Sequence, residues 1–245
     1  MSFNIKRIIF IVTIFMNAIN MLNAQKPIPV NLGLPSGTLW ANMNVGATIP
    51  NEYGDYYAWG EVFSKRYYGS KSTYSHFEYN PYRFSKYNYY NFPNSVVDNL
   101  LALQAVDDIA TQRYGNDWRM PTADEFKELK EKCRFWKGVL NGTKGFFVVN
   151  KDLTINSDTL FLPFTGYMDN GNFRYFPATD GYYWTSTLVG EEVYDSDSLK
   201  IIDKDNRLAE SAKCFVLKDT ILMYKNRTIG CVIRPVYVGK RKAGK

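Results

Sequence analysis

Two kinds of hydrophobic spacing divide this chain. Between residues 96 and 133 apolar positions recur at helical intervals, whereas beyond residue 140 they come in short aromatic or β-branched runs. In the first region Val97, Leu100, Leu101, Ala105, Val106 and Ile109 fall on one helical face, and Asp107 and Asp108 project toward a more polar one. A second helix is predicted to follow Thr122, burying Phe126, Leu129 and Cys133 at i, i+3 and i+7. Its start is written in the chemistry of Pro121, Thr122, Asp124 and Glu125. The proline stops any helix running in, Thr122 and Glu125 form a capping box, and both carboxylates sit where the helix dipole favours negative charge. In the second region residues 145–149, 159–164, 182–187, 213–217 and 228–236 read as strands, separated by turn residues such as Asp169, Asn170, Gly171 and Asn172. Helices early and strands late predict an α+β domain, two helices packed on short antiparallel strands.

Ahead of the helices the pattern changes twice. Residues 30–62 form an extended entry punctuated by Gly33, Pro35 and Gly37. Residues 63–95 are polar and short of aliphatics, yet carry Tyr67, Tyr68, Tyr74, Tyr79, Tyr82, Tyr87, Tyr89 and Tyr90 among Lys, Ser and Asn. This stretch is predicted to be a long surface loop insertion. Loops of that length are uncommon without a function, and tyrosines in a polar setting suit stacking on sugar rings or meeting another protein. Those eight tyrosines are the candidate ligand-binding residues.

The two ends carry a different message from the middle. Lys6 and Arg7 precede an apolar run from Ile8 to Met16, and a more polar segment then ends at Ala24. That is the form of a secretory signal peptide over residues 1–24, with an apolar run too short for a spanning helix. The expected mature protein, one domain over residues 25–239, is secreted to the periplasm, cell surface or exterior, with no transmembrane segment. The net charge of +6 falls to +4 once Lys6 and Arg7 are removed. Four of the remaining cations crowd into the tail 240–245, which reads as a solvated end, so no nucleic-acid binding is expected.

Candidate chemistry adds little. An oxidising compartment permits disulfides, and the chain holds three cysteines, Cys133, Cys214 and Cys231. Laid side by side as an antiparallel pair, the runs around Cys214 and Cys231 would allow a bridge contributing roughly 3 kcal/mol; three buried thiols are the other reading. No pair has metal-ligand spacing, and His76, the single histidine, stands in the aromatic stretch far from all three and reads as a surface residue. Neither a nucleophile motif nor a phosphate-cradling glycine loop is present. The carboxylate pairs Asp107-Asp108 and Glu191-Glu192 sit on single elements and cannot face each other across a cleft, so both read as solvated. Asp169, Asn170, Asp195 and Asp197 could contribute to a calcium site, but read first as turn residues. No enzyme activity, metal or cofactor is expected.

Six motifs carry a resemblance. They are Asn31 to Trp40, Asn44-Val45-Gly46-Ala47, Tyr53 to Glu61, Trp118-Arg119-Met120-Pro121-Thr122, Tyr183-Trp184-Thr185-Ser186-Thr187 and Ile233-Arg234-Pro235-Val236. In order and extent this series resembles the Fibrobacter major paralogous domain family, exported proteins common in gut Bacteroidetes-type bacteria. The segments Val106 to Ala110 and Arg119 to Phe126 are also similar to formylglycine-generating enzymes. The resemblance implies a C-type-lectin-like α+β domain over nearly the whole mature chain. Family members often carry a cysteine where this chain has Met43, so a bridge from there to Cys133 is not available. The close cysteine pair of the formylglycine-generating enzymes is missing, so their oxygenase activity is not carried over. The expectation is a secreted, non-catalytic module recognising a glycan or surface protein, with a subunit of a surface assembly, or a degenerate relative of the formylglycine-generating enzymes, as the alternatives.

Overall fold

The computed structural model describes residues 25–89, 93–170, 172–174, 179–189 and 209–239. The expected signal peptide, Tyr90, Glu191, Glu192, Asp195, Asp197 and the basic tail lie outside them. Strands β1 (Pro29–Val30) and β2 (Leu39–Ala41) are followed by a hairpin of β3 (Phe77–Tyr79) and β4 (Tyr82–Phe84). Helix α1 (Ile109–Tyr114), β5 (Trp118–Arg119) and helix α2 (Ala123–Lys132) make up the middle. Then come β6 (Cys133–Leu140), β7 (Thr143–Asn150), β8 (Leu160–Pro163), β9 (Tyr167–Asp169), β10 (Asn172–Arg174), β11 (Tyr182–Leu188), β12 (Ser211–Val216), β13 (Ile221–Asn226) and β14 (Val236–Tyr237). These strands pair antiparallel in several small sheets, so the architecture is α+β. Among the described residues no helix is long and apolar enough to cross a membrane.

Helix α2 starts as its sequence dictates. The Thr122 hydroxyl accepts from the Glu125 amide at 3.2 Å, and the Glu125 carboxylate accepts from the Thr122 amide at 2.7 Å. Arg119 then clamps the same carboxylate with two parallel bonds of 2.8 and 2.7 Å. Burial pushes the Glu125 carboxyl up, but the bonds from Arg119 and Thr122 outweigh it and hold the group below its ordinary value of 4.5. A carboxylate with a depressed folded pKa stabilises above its unfolded value, and that contribution is lost as pH falls through the folded one. Glu125→Gln is therefore expected to cost about 2 kcal/mol at neutral pH. The gap from wild type should close as the pH drops below 4.5. Urea titrations of both proteins across that range check it, and a gap that stays constant in acid would remove the charge from the account.

Strand β11 is the hub. On one side it pairs with β12, and on the other its amides reach three separate segments in turn. Trp184 donates to the Val232 carbonyl, Ser186 to Pro121 and Leu188 to Leu101, at 3.0, 2.8 and 2.8 Å. Covered on both faces, β11 and β12 are buried along nearly their whole length, and their alternation feeds two cores. Trp184, Ala212, Cys214 and Val216 enter one, with Cys231 and Ile233; Tyr183, Phe215 and Leu217 enter the other, with Trp40, Phe126 and Val232. Two reciprocal indole bonds lock the first core, from Trp184 Nε1 to the Tyr57 carbonyl at 2.8 Å and from Trp59 Nε1 to the Thr185 carbonyl at 2.7 Å. The second holds a fully buried arginine. Arg234 donates from Nε to Asn44 Oδ1 at 2.7 Å and from Nη1 to the Ala41 carbonyl at 3.0 Å. Burial pushes its guanidinium down to about 10. Gly54, at φ +75°, completes the Asn44 turn, since a Cβ there would run into the Val45 carbonyl.

Four sequence expectations are corrected. Residues 96–104 are not helical: Ala102 bridges Thr187 and Leu103 donates to the Ser186 carbonyl, so residues 101–103 run beside β11, and coiling begins with a 3-10 turn at Ala105–Asp107 ahead of helix Ile109–Tyr114. Helix α2 stops at Lys132, and Cys133 opens β6, a strand with no hydrophobic alternation strong enough to be seen in the sequence. Residues 228–236 are not one strand. They are extended, but their partners change from Met168 at Gly230, to Tyr57 at Cys231, to Tyr183 at Val232. The fourth correction follows from the third: Cys214 and Cys231 are not on neighbouring strands, because Trp184 of β11 lies between them, paired with Cys214 and bonded to Val232. The Cys214 and Cys231 side chains nonetheless meet across β11, as neighbouring thiols. All three cysteines are buried free thiols. Burial, with the Cys214 thiol on the same face, pushes the Cys231 thiol up, and burial pushes Cys133 up to about 11.

Candidate functional site

Residues 63–89 form a folded cap, and the candidate tyrosines divide within it. Tyr68, Tyr74 and Tyr87 are buried, which corrects their reading as surface ligand contacts. Each spends its hydroxyl on holding the cap down: Tyr68 donates to the Tyr56 carbonyl, Tyr74 to the Trp59 carbonyl at 2.7 Å, and Tyr87 to Asp107 Oδ2. Burial pushes all three phenols up, Tyr68 to about 12. Tyr89 is partly buried against the first core. Tyr67, Tyr79 and Tyr82 remain on the surface.

Tyr79 and Tyr82 are brought together. They flank the two-residue turn Asn80-Pro81, whose peptide is cis, and face each other across the β3–β4 ladder. Their rings lie 5.9 Å apart, edge to face, with 58% and 42% of each residue exposed. Phe77 packs beneath both at 5.2 and 4.8 Å, and in turn against Phe84 at 5.1 Å. Lys71 braces one side. Its ammonium bonds the Tyr82 hydroxyl at 3.1 Å and Glu210 beyond it, and lies 5.4 Å from the Tyr82 ring centre. Across the strands Arg83 pairs with Glu78 at 2.7 Å. Two tyrosine rings thus stand on a rigid aromatic base with charged groups at the rim, a surface able to stack on an apolar face while its hydroxyls take hydrogen bonds.

The base of the hairpin is tied inward by Arg227. This buried side chain lies 3.9 Å above the Phe84 ring and donates to the carbonyls of Lys86, Tyr87 and Ala209. Burial lowers its guanidinium pKa. A third small core of Ala58, Tyr68, Tyr74, Phe77, Phe84 and Ala209 fills the space between hairpin and domain.

Of the other candidates, His76 is not a surface residue. It is largely enclosed, edge to face with Tyr74 and Tyr87, with Nε2 at 2.9 Å from the Gly60 carbonyl. Asp107 stands 3.9 Å away and is already held by Lys86 at 2.6 Å and by Tyr87. Asp108 is buried rather than solvated: it caps α1 through the amides of Ala110 and Thr111 and accepts from Met120 at 2.8 Å. Burial raises its pKa despite those bonds. Asp169 ends β9 and Asn170 follows it in a turn, and among the described residues no three His, Cys, Asp or Glu side chains converge as a metal site. Sequence reasoning missed the brace of Phe77, Lys71 and Glu210. A signal for the hairpin was there, since Phe77-Glu78-Tyr79 and Tyr82-Arg83-Phe84 are mirror triplets about Asn80-Pro81.

No protein-family model, curated protein or solved structure matches this chain.

Proposed function

We propose that this chain is an exported, non-catalytic binding module of C-type-lectin-like architecture that recognises a glycan through the tip of the β3–β4 hairpin. The observation that carries the reading is the exposed Tyr79–Tyr82 pair on its Phe77 and Lys71 base. Exposed aromatic rings in a soluble protein lose water contact favourably only when something covers them, and here the rings are pre-positioned, so little ordering is lost on binding. Export is supported by the basic-then-apolar pattern of residues 6–16.

The mature chain from Gln25 on an array of neutral, acidic and mucin-type glycans, with and without calcium, tests this. A hit should weaken roughly tenfold or more on replacing Tyr79 and Tyr82 with alanine, about 1.4 kcal/mol, while the melting temperature hardly changes because both side chains are exposed. A blank array with folded protein would reject the glycan reading and leave a protein partner for the same hairpin.

A further inference from the structure

Strand β6 ends its sheet, in the order β6-β7-β8, and its outer edge is open. The register says which groups face out. Lys151 donates to the Lys132 carbonyl at 2.8 Å, and the Asn141-Gly142 turn closes the ladder between Leu140 and Thr143. Antiparallel pairs alternate, so Arg134, Trp136 and Gly138 bond to β7, and Phe135, Lys137 and Val139 turn their N–H and C=O groups away from it. None of those three has a backbone partner among the described residues. Val139 is 59% exposed and Trp136 44%.

Beside this edge runs a groove of about 770 Å³ lined by the half-buried Phe135, with the buried Phe146 behind it. Four cations from four places in the chain border it: Lys130 from the end of α2, Arg134 from β6, Lys151 past β7 and Lys218 from the β12–β13 turn. Among the described residues no carboxylate lines it. Lys151 is fixed in place by the carbonyls of Lys130 and Glu131, at 3.2 and 2.6 Å, whereas no ion pair holds Lys130, Arg134 or Lys218 among the described residues. A single lysine on an open edge discourages unwanted pairing, and Lys137 serves that purpose. Four cations beside one open edge do more: they select what may pair.

We propose that β6 accepts an added strand, an extended acidic segment of a partner protein. Its main chain would pair with Phe135, Lys137 and Val139, its apolar side chains would cover Phe135 and Val139 on one face, carboxylates on its other face would meet Arg134, and a carboxylate at its end would meet the lysines of the groove. This surface is separate from the tyrosine hairpin and stands whether or not that hairpin binds a glycan.

A capped, fluorescent peptide alternating acidic with valine or phenylalanine residues is the probe, titrated into the mature chain by anisotropy. Salt-sensitive binding is expected, with exchange of the amides of Phe135, Lys137 and Val139 slowed in the complex. Lys137→Pro and Val139→Pro each delete an outward N–H without touching the β7 ladder, and should weaken binding at least tenfold, against less than threefold for the alanine variants. N-methylation of alternate peptide amides should abolish binding to the unaltered protein, which covers the case of a proline variant that folds poorly. No binding, or binding indifferent to proline and N-methylation, would overturn the strand. A sulfated oligosaccharide that binds equally well and ignores the prolines would overturn it too, and make the groove a site for acidic glycans.

Discussion

Arg227→Ala is expected to destabilise the protein by about 3–5 kcal/mol in urea. Removing the guanidinium orphans the buried carbonyls of Tyr87 and Ala209 and the part-buried one of Lys86, and opens a void against Phe84. It also loses a desolvated cation–π contact, worth up to roughly 2 kcal/mol. Lysine should not rescue it, because one ammonium cannot reproduce the fork. The loss should be local first: residues 77–89 should exchange their amides faster, while α2, capped by Thr122 and clamped by Arg119, keeps its protection. A variant within 1 kcal/mol of wild type would show that the hairpin is held by its own aromatic core alone.

Arg234→Ala is expected to cost a similar 3–5 kcal/mol, but in the second core. It strands Asn44 Oδ1 and the Ala41 carbonyl, and Asn44 is fully buried with its other end donating to the Tyr53 carbonyl at 2.8 Å. Asn44 and Arg234 act as one unit, so the double variant should lose at least 1 kcal/mol less than the sum of the singles. Additive losses in a double-mutant cycle would break that link.

These two arginines explain why parts of the molecule were legible in the sequence and others were not. The α2 start was readable because a capping box is local, four residues satisfying one another. The motifs around Asn44, Tyr57, Trp184 and Arg234 were visible as a series, and the structure shows that their residues bond across the fold, Asn44 to Arg234 and Tyr57 to Trp184. The apolar spacing of residues 97–101 misled, because the chain turns at Asn99 and residues 101–103 bond along β11, where tertiary pairing overrides a helical period. β6 was missed because an edge strand beside basic residues lacks the alternation that burial imposes. Within the tyrosine stretch composition alone could not separate Tyr68, Tyr74 and Tyr87, whose hydroxyls are anchors, from Tyr79 and Tyr82, whose rings face water. That distinction depends on partners far off in the chain, on Asp107 for Tyr87 and on Glu210 behind Lys71.

The position of β14 sets a timetable. Val236 lies between Trp40 and Arg119, as the strand through which β2 and β5 are joined. Just before it, Gly230, Cys231 and Val232 supply partners to Met168, Tyr57 and Tyr183. A ribosome must therefore release the residues up to Tyr237 before the early segments meet those that close them, and a nascent chain stopped short of residue 229 has open seams in both large cores. Such non-local closure makes folding a slow event that follows synthesis rather than accompanying it.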